Sequence, residues 1–526
     1  MDLGIVFLVG MVAILAAFRL SSLWPSLFVG ALLLAAMFPR TLVLLENGSP
    51  RANVADIAGS APALTTTSVV IFSMLLLTST SRRSARTLAF VGPFFLYAAF
   101  AYILLWDRSS DVRAGLLSLF AALAAWVVGA RIGQSGIGSF RQMRLLAWFV
   151  AAMFSVELLA AMSQLSNVVR LDGRPTGSYG HPSWLGKVVL AVLPILLPFT
   201  SSADKGLARP ARIALLCGLA ATALTMSRAN TLAVLGVSLA WVLIMRRAAS
   251  AQPRLFGRLG AAVALGLATL PFIGGLLARF DIDPDGGDRP ELLAAGLRVT
   301  SEYLWTGTGP NNFVLVARIG EPIVRSTGYP VHNSIILGVA SLGLVGAFLF
   351  ALPLLNTAIL AIRSRSDADF WRANLARAYL LGLTGVVFVG LSGWGWWQDP
   401  ALHLVYFVAG VFRSGLTRSS PDSRSIQMPA DQSPCQDVHS ELRMSNQIPS
   451  GRSGALGRRS ILGRLAGAHE QVGGGYPFLA KPASGRLDVL LPSVRAFEWL
   501  SKARGLSIRF PVSWRPRQVG GWQCAT

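Results

Sequence analysis

The chain has 526 residues, of which 53% are hydrophobic and only 14% charged, with a mean hydropathy of +0.54. Soluble domains carry about 25% charged residues, so this composition excludes an ordinary water-soluble fold. A formal net charge of +22 would point a soluble protein toward nucleic acid, but here the basic residues of the apolar region sit in short segments between apolar runs, where they set membrane orientation.

In chain order the apolar runs lie near 3–18, 22–39, 61–79, 87–106, 114–130, 144–163, 185–200, 211–226, 229–245, 259–277, 333–359, 375–393 and 400–412. Most approach the roughly 17–25 residues that cross about 30 Å of hydrocarbon as a helix. They lack strand alternation, and a helix pairs all its backbone groups within itself. The expected fold is all-α and polytopic, with about 12–13 transmembrane helices. The start, Met1-Asp2-Leu3, has no basic segment, so the first run is expected to be a retained span. Cys217 lies inside a run, while Cys435 and Cys524 lie near the end of the chain, so no disulfide framework is implied.

The connecting segments alternate in charge. One set holds Arg82, Arg83 and Arg86; Arg131, Arg141 and Arg144; Lys205, Arg209 and Arg212; Arg246, Arg247, Arg254 and Arg258; and Arg363, Arg365, Arg372 and Arg377. The positive-inside rule assigns that set to the cytoplasm and the N-terminus to the far side. Segments 164–184, 226–229 and 278–332 then lie outside, the last with five arginines against seven acids. A long loop held at both ends by spans is where a helical membrane protein would carry chemistry. Residues 1–412 form the expected membrane body. Residues 413–526, with 16 Lys and Arg against 7 Asp and Glu and many Ser, Gly and Pro, are expected to be a largely disordered cytoplasmic tail.

Several polar residues in the body are candidates for chemistry. Arg228, in Thr225-Met226-Ser227-Arg228, sits at a tight outer hairpin. A charge at that depth is either functional or a snorkelling interfacial arginine. The outer loop runs from Gly287-Asp288-Arg289-Pro290-Glu291 through an apolar stretch to Arg298, then Gly307-Thr308-Gly309-Pro310-Asn311-Asn312-Phe313 and His332-Asn333. Arginine suits phosphate because its planar fork gives paired, charge-assisted hydrogen bonds. The backbone N–H groups of Gly307 and Gly309 could approach an anion, although turns use the same residues. On the residues alone, His332 serves equally as a helix cap or as a proton acceptor. Arg170, Arg174, Gly177, Gly180 and His181 lie outside, just before the run at 185. Glu157 lies inside the preceding run, placed to pair with an outer arginine or to couple protons in a transporter. Asp281, Asp283 and Asp285 copy the start of a calcium loop, but Leu292 occupies the position where a bidentate Glu is needed. No Cys/His cluster suggests zinc, and no metal or other cofactor is expected.

In order along the chain, Gly180-His181-Pro182-Ser183-Trp184-Leu185-Gly186, Ser227-Arg228, the Arg289–Phe313 segment, and His332-Asn333 followed by Gly343 and Gly346 resemble the O-antigen ligase and O-antigen polymerase family of bacterial polysaccharide assembly. The likeness covers roughly residues 165–360; the aromatic that the family often places near Leu293 is missing, and the stretch from 413 has no counterpart. The resemblance implies an all-helical glycosyltransferase in the bacterial cytoplasmic membrane, with its active site on the extracytoplasmic face. It would use a polyprenyl-diphosphate-linked glycan as donor and a glycan, lipid or protein hydroxyl as acceptor. By that likeness Arg228 and Arg289 hold the diphosphate and His332 orients or deprotonates the acceptor. Arg174, Arg298, Gly307, Gly309, Asn312 and His181 line the substrate. The bilayer is the expected surrounding, and no nucleic acid is expected. The alternative is a lipid-linked glycan flippase or other transporter, which should carry ionisable residues near the bilayer midplane and paired broken helices. A non-catalytic scaffold would leave the arginines and histidine without a role.

Overall fold

The computed structural model describes residues 3–21, 23–37, 41–42, 64–78, 82–135, 140–165, 174–179, 181–245, 287–393, 395–397 and 400–417. The chain divides into two units, Met1–Asp431 and Gln432–Thr526. All described residues belong to the first. The expected span at 259–277, the calcium-like acids, Arg170, Gly180 and most of the expected tail lie outside the described residues.

Apart from one antiparallel pairing of Thr41–Leu42 with Leu64–Thr65, the described residues are helical or connecting. The helices are α1 (Leu3–Leu20), α2 (Trp24–Met37), α3 (Thr66–Leu77), α4 (Arg82–Leu104), α5 (Ser110–Ser135), α6 (Phe140–Leu165), α7 (Pro182–Thr200), α8 (Lys205–Leu224) and α9 (Arg228–Ile244). After the undescribed stretch come α10 (Arg289–Glu302), α11 (Phe313–Gly320), α12 (Pro322–Thr327), α13 (Ser334–Ser364), α14 (Phe370–Ser392) and α15 (Ala401–Thr417). Six of these are long and apolar enough to cross a bilayer, and six shorter helices are also apolar. The protein is a polytopic all-α membrane protein.

Helices packed in lipid gain little from apolar burial, so close backbone approach through small residues takes its place. Helix α15 lies against α5 in this way: a Cβ on Gly129 would overlap the Phe407 carbonyl, and one on Gly410 would overlap that of Trp126. Ser414 donates to the Ala130 carbonyl at 2.6 Å, one turn further along. Helices α7 and α14 run antiparallel, with Gly382 facing Pro194 and Gly385 facing Leu190. Their pairing brings the N-terminus of α7 to the same end of the bundle as the C-terminus of α14.

Residues 287–332 fold as a cap with its own apolar core. Leu292, Ala295 and Val299 of α10 meet Phe313, Val314 and Ala317 of α11, Val324 of α12, Val331, and Leu337 and Ala340 of α13. This core is separate from the large cluster inside the bundle. A small cap cannot hold itself in place on so few apolar residues, and a break in α13 anchors it. At Gly343 (φ 70°, ψ 168°) the helix is interrupted, which frees backbone groups on both sides of the break. The Thr308 and Gly309 N–H groups donate to the Ala340 and Ser341 carbonyls at 2.8 and 2.9 Å, and the Leu344 N–H donates to the Leu304 carbonyl at 2.7 Å. The Tyr97 hydroxyl donates to the Leu342 carbonyl at 2.6 Å, and the Trp106 indole to that of Thr306 at 2.8 Å. An interruption inside a membrane helix is tolerated only where protein satisfies the released groups, and here the cap turn supplies them.

Candidate functional site

The start of α13 carries His332 and Asn333. Asn333 caps the helix, its Oδ1 accepting from the Ile335 and Ile336 N–H groups at 3.0 and 3.1 Å. Its amide donates to the Leu391 carbonyl at 3.3 Å, and the Ser334 hydroxyl to that of Gly393 at 2.6 Å. The Trp397 indole donates to the Ser334 carbonyl at 2.6 Å. Asn333 therefore does the capping, and the adjacent histidine is left for other work. His332 meets the Tyr329 ring edge-on, with centroids 6.2 Å apart.

Burial pushes the His332 imidazole down to about 4, and the Arg289 guanidinium adds to that, followed by Lys187; a hydrogen bond to the Pro330 backbone and the Asp288 carboxylate oppose it. Proline has no N–H, so the imidazole donates to the Pro330 carbonyl. In the neutral ring this fixes which nitrogen holds the proton and gives the other a lone pair. A neutral imidazole within the field of Arg289 and Lys187 has a ring nitrogen able to accept a proton.

Arg289 opens α10 and is exposed, with Asp288 before it. Gly296 holds the helix against Val331, since a Cβ there would overlap that side chain. Lys187 comes from the second turn of α7. Glycine at 186 lets α7 approach Asn230 of α9, whose amide donates to the Ser183 carbonyl and the Ser227 hydroxyl, both at 2.9 Å. Those bonds bring the first turns of α7 and α9 together. Half-buried Arg228, the first residue of α9, thus starts at the same end of the bundle as Lys187.

Other candidates fall elsewhere. Arg298 lies nine residues beyond Arg289, about 13 Å along α10 and half a turn round it. Its fork engages Glu321, with Nε and Nη2 at 2.8 and 2.6 Å from the carboxylate, which holds that carboxyl below its ordinary range. Arg298 braces α10 to the start of α12. The N–H groups of Gly307 and Gly309, expected to face an anion, are engaged within the protein. Gly307 N–H donates to the Tyr303 carbonyl at 2.8 Å, and the Gly309 N–H is bound at the α13 break. Asn312 is buried, its amide donating to the Thr308 carbonyl at 2.9 Å. These residues build the turn that docks the cap. His181 caps α7, its Nδ1 accepting from the Ser183 N–H at 3.1 Å, and is exposed.

Half-buried Arg174 opens the segment 174–179, which α6 holds from below. Glu157 accepts from the Ser178 N–H at 2.9 Å and from its hydroxyl, and Gln164 accepts from the Thr176 and Gly177 N–H groups. The buried acid is thus tied to a loop backbone rather than to an outer arginine. Among the described residues no group of three or more His, Cys, Asp or Glu is placed to hold a metal.

The missed residue is Lys187. Its signal was present in the sequence, where it is the one lysine inside an apolar run.

The family likeness lies in the central part of the chain. Residues 213–351 match the O-antigen ligase family. No curated protein matches the chain. The ligase-family region begins in α8 and ends in α13, so it takes in Arg228, the whole cap, His332 and the α13 break. Lys187, His181 and Arg174 precede it. A match to O-antigen ligases in a multi-pass membrane protein supports membrane glycan transfer as its general function.

Proposed function

We propose that the protein transfers or polymerises a polyprenyl-diphosphate-linked glycan onto an acceptor hydroxyl at the outer face of a bacterial cytoplasmic membrane. What supports this reading is that the Arg289 guanidinium lies near enough to His332 for its charge to act on the imidazole, at the bundle end where α9 presents Arg228. Arg228 and Arg289 hold the diphosphate, and His332 takes the hydroxyl proton. The acceptor oxygen bonds to the anomeric carbon as the bond from that carbon to the diphosphate oxygen breaks. The electron pair leaves with the polyprenyl diphosphate, and the proton passes to the imidazole. Charge grows on the diphosphate as that bond breaks, so fixed guanidinium groups stabilise the transition state more than the bound donor. A histidine neutral at the working pH supplies the base.

The acceptor is a second glycan, a lipid core or a protein. The transporter alternative loses its best residue, because Glu157 is occupied by Ser178.

The test is to replace Arg228, Arg289 and His332 singly by Ala and examine both surface polysaccharide and lipid-linked intermediates. Loss of transfer by about 100-fold or more is expected for each, in line with removal of a transition-state donor. Lipid-linked units should then accumulate on the outer leaflet. Accumulation on the inner leaflet would mean transport instead.

A further inference from the structure

Lys187 is 6% exposed, although it lies only two turns into α7. Among the described residues no carboxylate lies within ion-pair distance of it. An ammonium group buried in a membrane bundle is costly unless something compensates it. Gly186 fixes its position, because the contact with Asn230 and the bond from Asn230 to the Ser183 carbonyl lock this turn of α7 to the start of α9. Ser183, one turn above, lies on the same side of the helix as Lys187. The ammonium is near enough to His332 for its charge to act there, as Arg289 does. Lys187 on α7, Arg228 on α9 and Arg289 on α10 therefore converge on one end of the bundle from three helices. Asp288 is the carboxylate that His332 also feels, and it sits exposed at the start of α10.

We infer that Lys187 is a third cation of the donor site and binds the diphosphate group from beneath, on the bundle side. The inference rests on the donor proposed above. A compact ammonium suits a point contact to one phosphate oxygen, while the planar guanidinium groups engage oxygens in pairs. The buried charge is costly in the empty protein and is compensated when the anion enters, so affinity is gained at the expense of stability.

The test uses full-length protein in lipid nanodiscs and three probes: polyprenyl diphosphate, polyprenyl monophosphate and inorganic pyrophosphate. Lys187→Met keeps the length and removes the charge, and Lys187→Arg restores a cation. Lys187→Met should weaken polyprenyl diphosphate binding by about tenfold or more, the effect of losing about 1.4 kcal/mol. It should melt no lower than wild type without lipid, and Lys187→Arg should recover most of the affinity. Wild-type affinity in Lys187→Met, with binding lost in Arg289→Ala, would overturn the assignment of Lys187 and leave the donor proposal standing. Absence of polyprenyl diphosphate binding in wild type would overturn both. Inorganic pyrophosphate binding as tightly as the lipid would overturn the lipid-borne source. A lower melting point in Lys187→Met with no recovery in Lys187→Arg would make the residue structural, against the inference.

Discussion

The surroundings of His332 favour loss of its proton. Its ordinary value of 6.5 falls to about 4, chiefly through burial. The unfolded chain therefore takes up this proton before the folded one does. Stability from this residue is present in full above about 6.5 and is lost as pH falls toward 4. The acid limb of kcat/KM should lie near 4; an acid limb near 6.5 would contradict a half-buried imidazole within the field of Arg289. The two arginines of α10 separate on the same scale. Arg298→Ala should cost only a few-fold in activity, because it loses a solvent-screened, exposed brace. Arg289→Ala should lower transfer by about 100-fold or more. Equal losses from both would show that the Glu321 pair belongs to the donor site. His332, Arg289 and Arg228 were legible as candidates because short polar motifs flank spans in a fixed order. The roles of Arg298, Asn312 and His181 were not. Their hydrogen-bond partners, Glu321, Thr308 and Ser183, become visible only in three dimensions, and for Arg298 that partner lies 23 residues away.

At the scale of elements, the cap depends on two glycines facing one another. A Cβ on Gly307 would overlap the Ser341 carbonyl and the Gly343 nitrogen, and one on Gly343 would overlap the Trp305 carbonyl. Both residues have positive φ, at 67° and 70°. A left-handed backbone alone costs a side-chain-bearing residue roughly 1–2 kcal/mol, and the overlap adds to it. Gly343→Ala and Gly307→Ala should each lower the melting temperature of the purified protein and reduce transfer, although neither residue touches the donor. Protection of the cap backbone from hydrogen exchange should fall in the same variants. Unchanged protection would mean that the cap is held some other way. Long apolar runs announced the helices from sequence alone, since a span needs only length and composition. The break at Gly343 was hidden inside such a run, because the carbonyls of Ala340 and Ser341 are satisfied by a segment 32 residues earlier and that of Leu342 by Tyr97.

Across the whole molecule, the alternation of basic and non-basic connections predicts which end faces the cytoplasm. The ends that carry Arg144 with Asp204 and Arg372 with Asp367 lie opposite the cap. The proposed donor residues, the cap and the α13 break all occupy one end, so one topological fact decides whether the proposed chemistry meets glycans outside the cell. Tyr329, which is half exposed beside His332, reports on that end directly. With Cys217, Cys435 and Cys524 replaced, Tyr329→Cys should react with a membrane-impermeant maleimide in intact spheroplasts. A cysteine at Arg365 should react only after the membrane is opened. Labelling of Arg365→Cys from outside, with Tyr329→Cys protected until lysis, would contradict an outward-facing donor site.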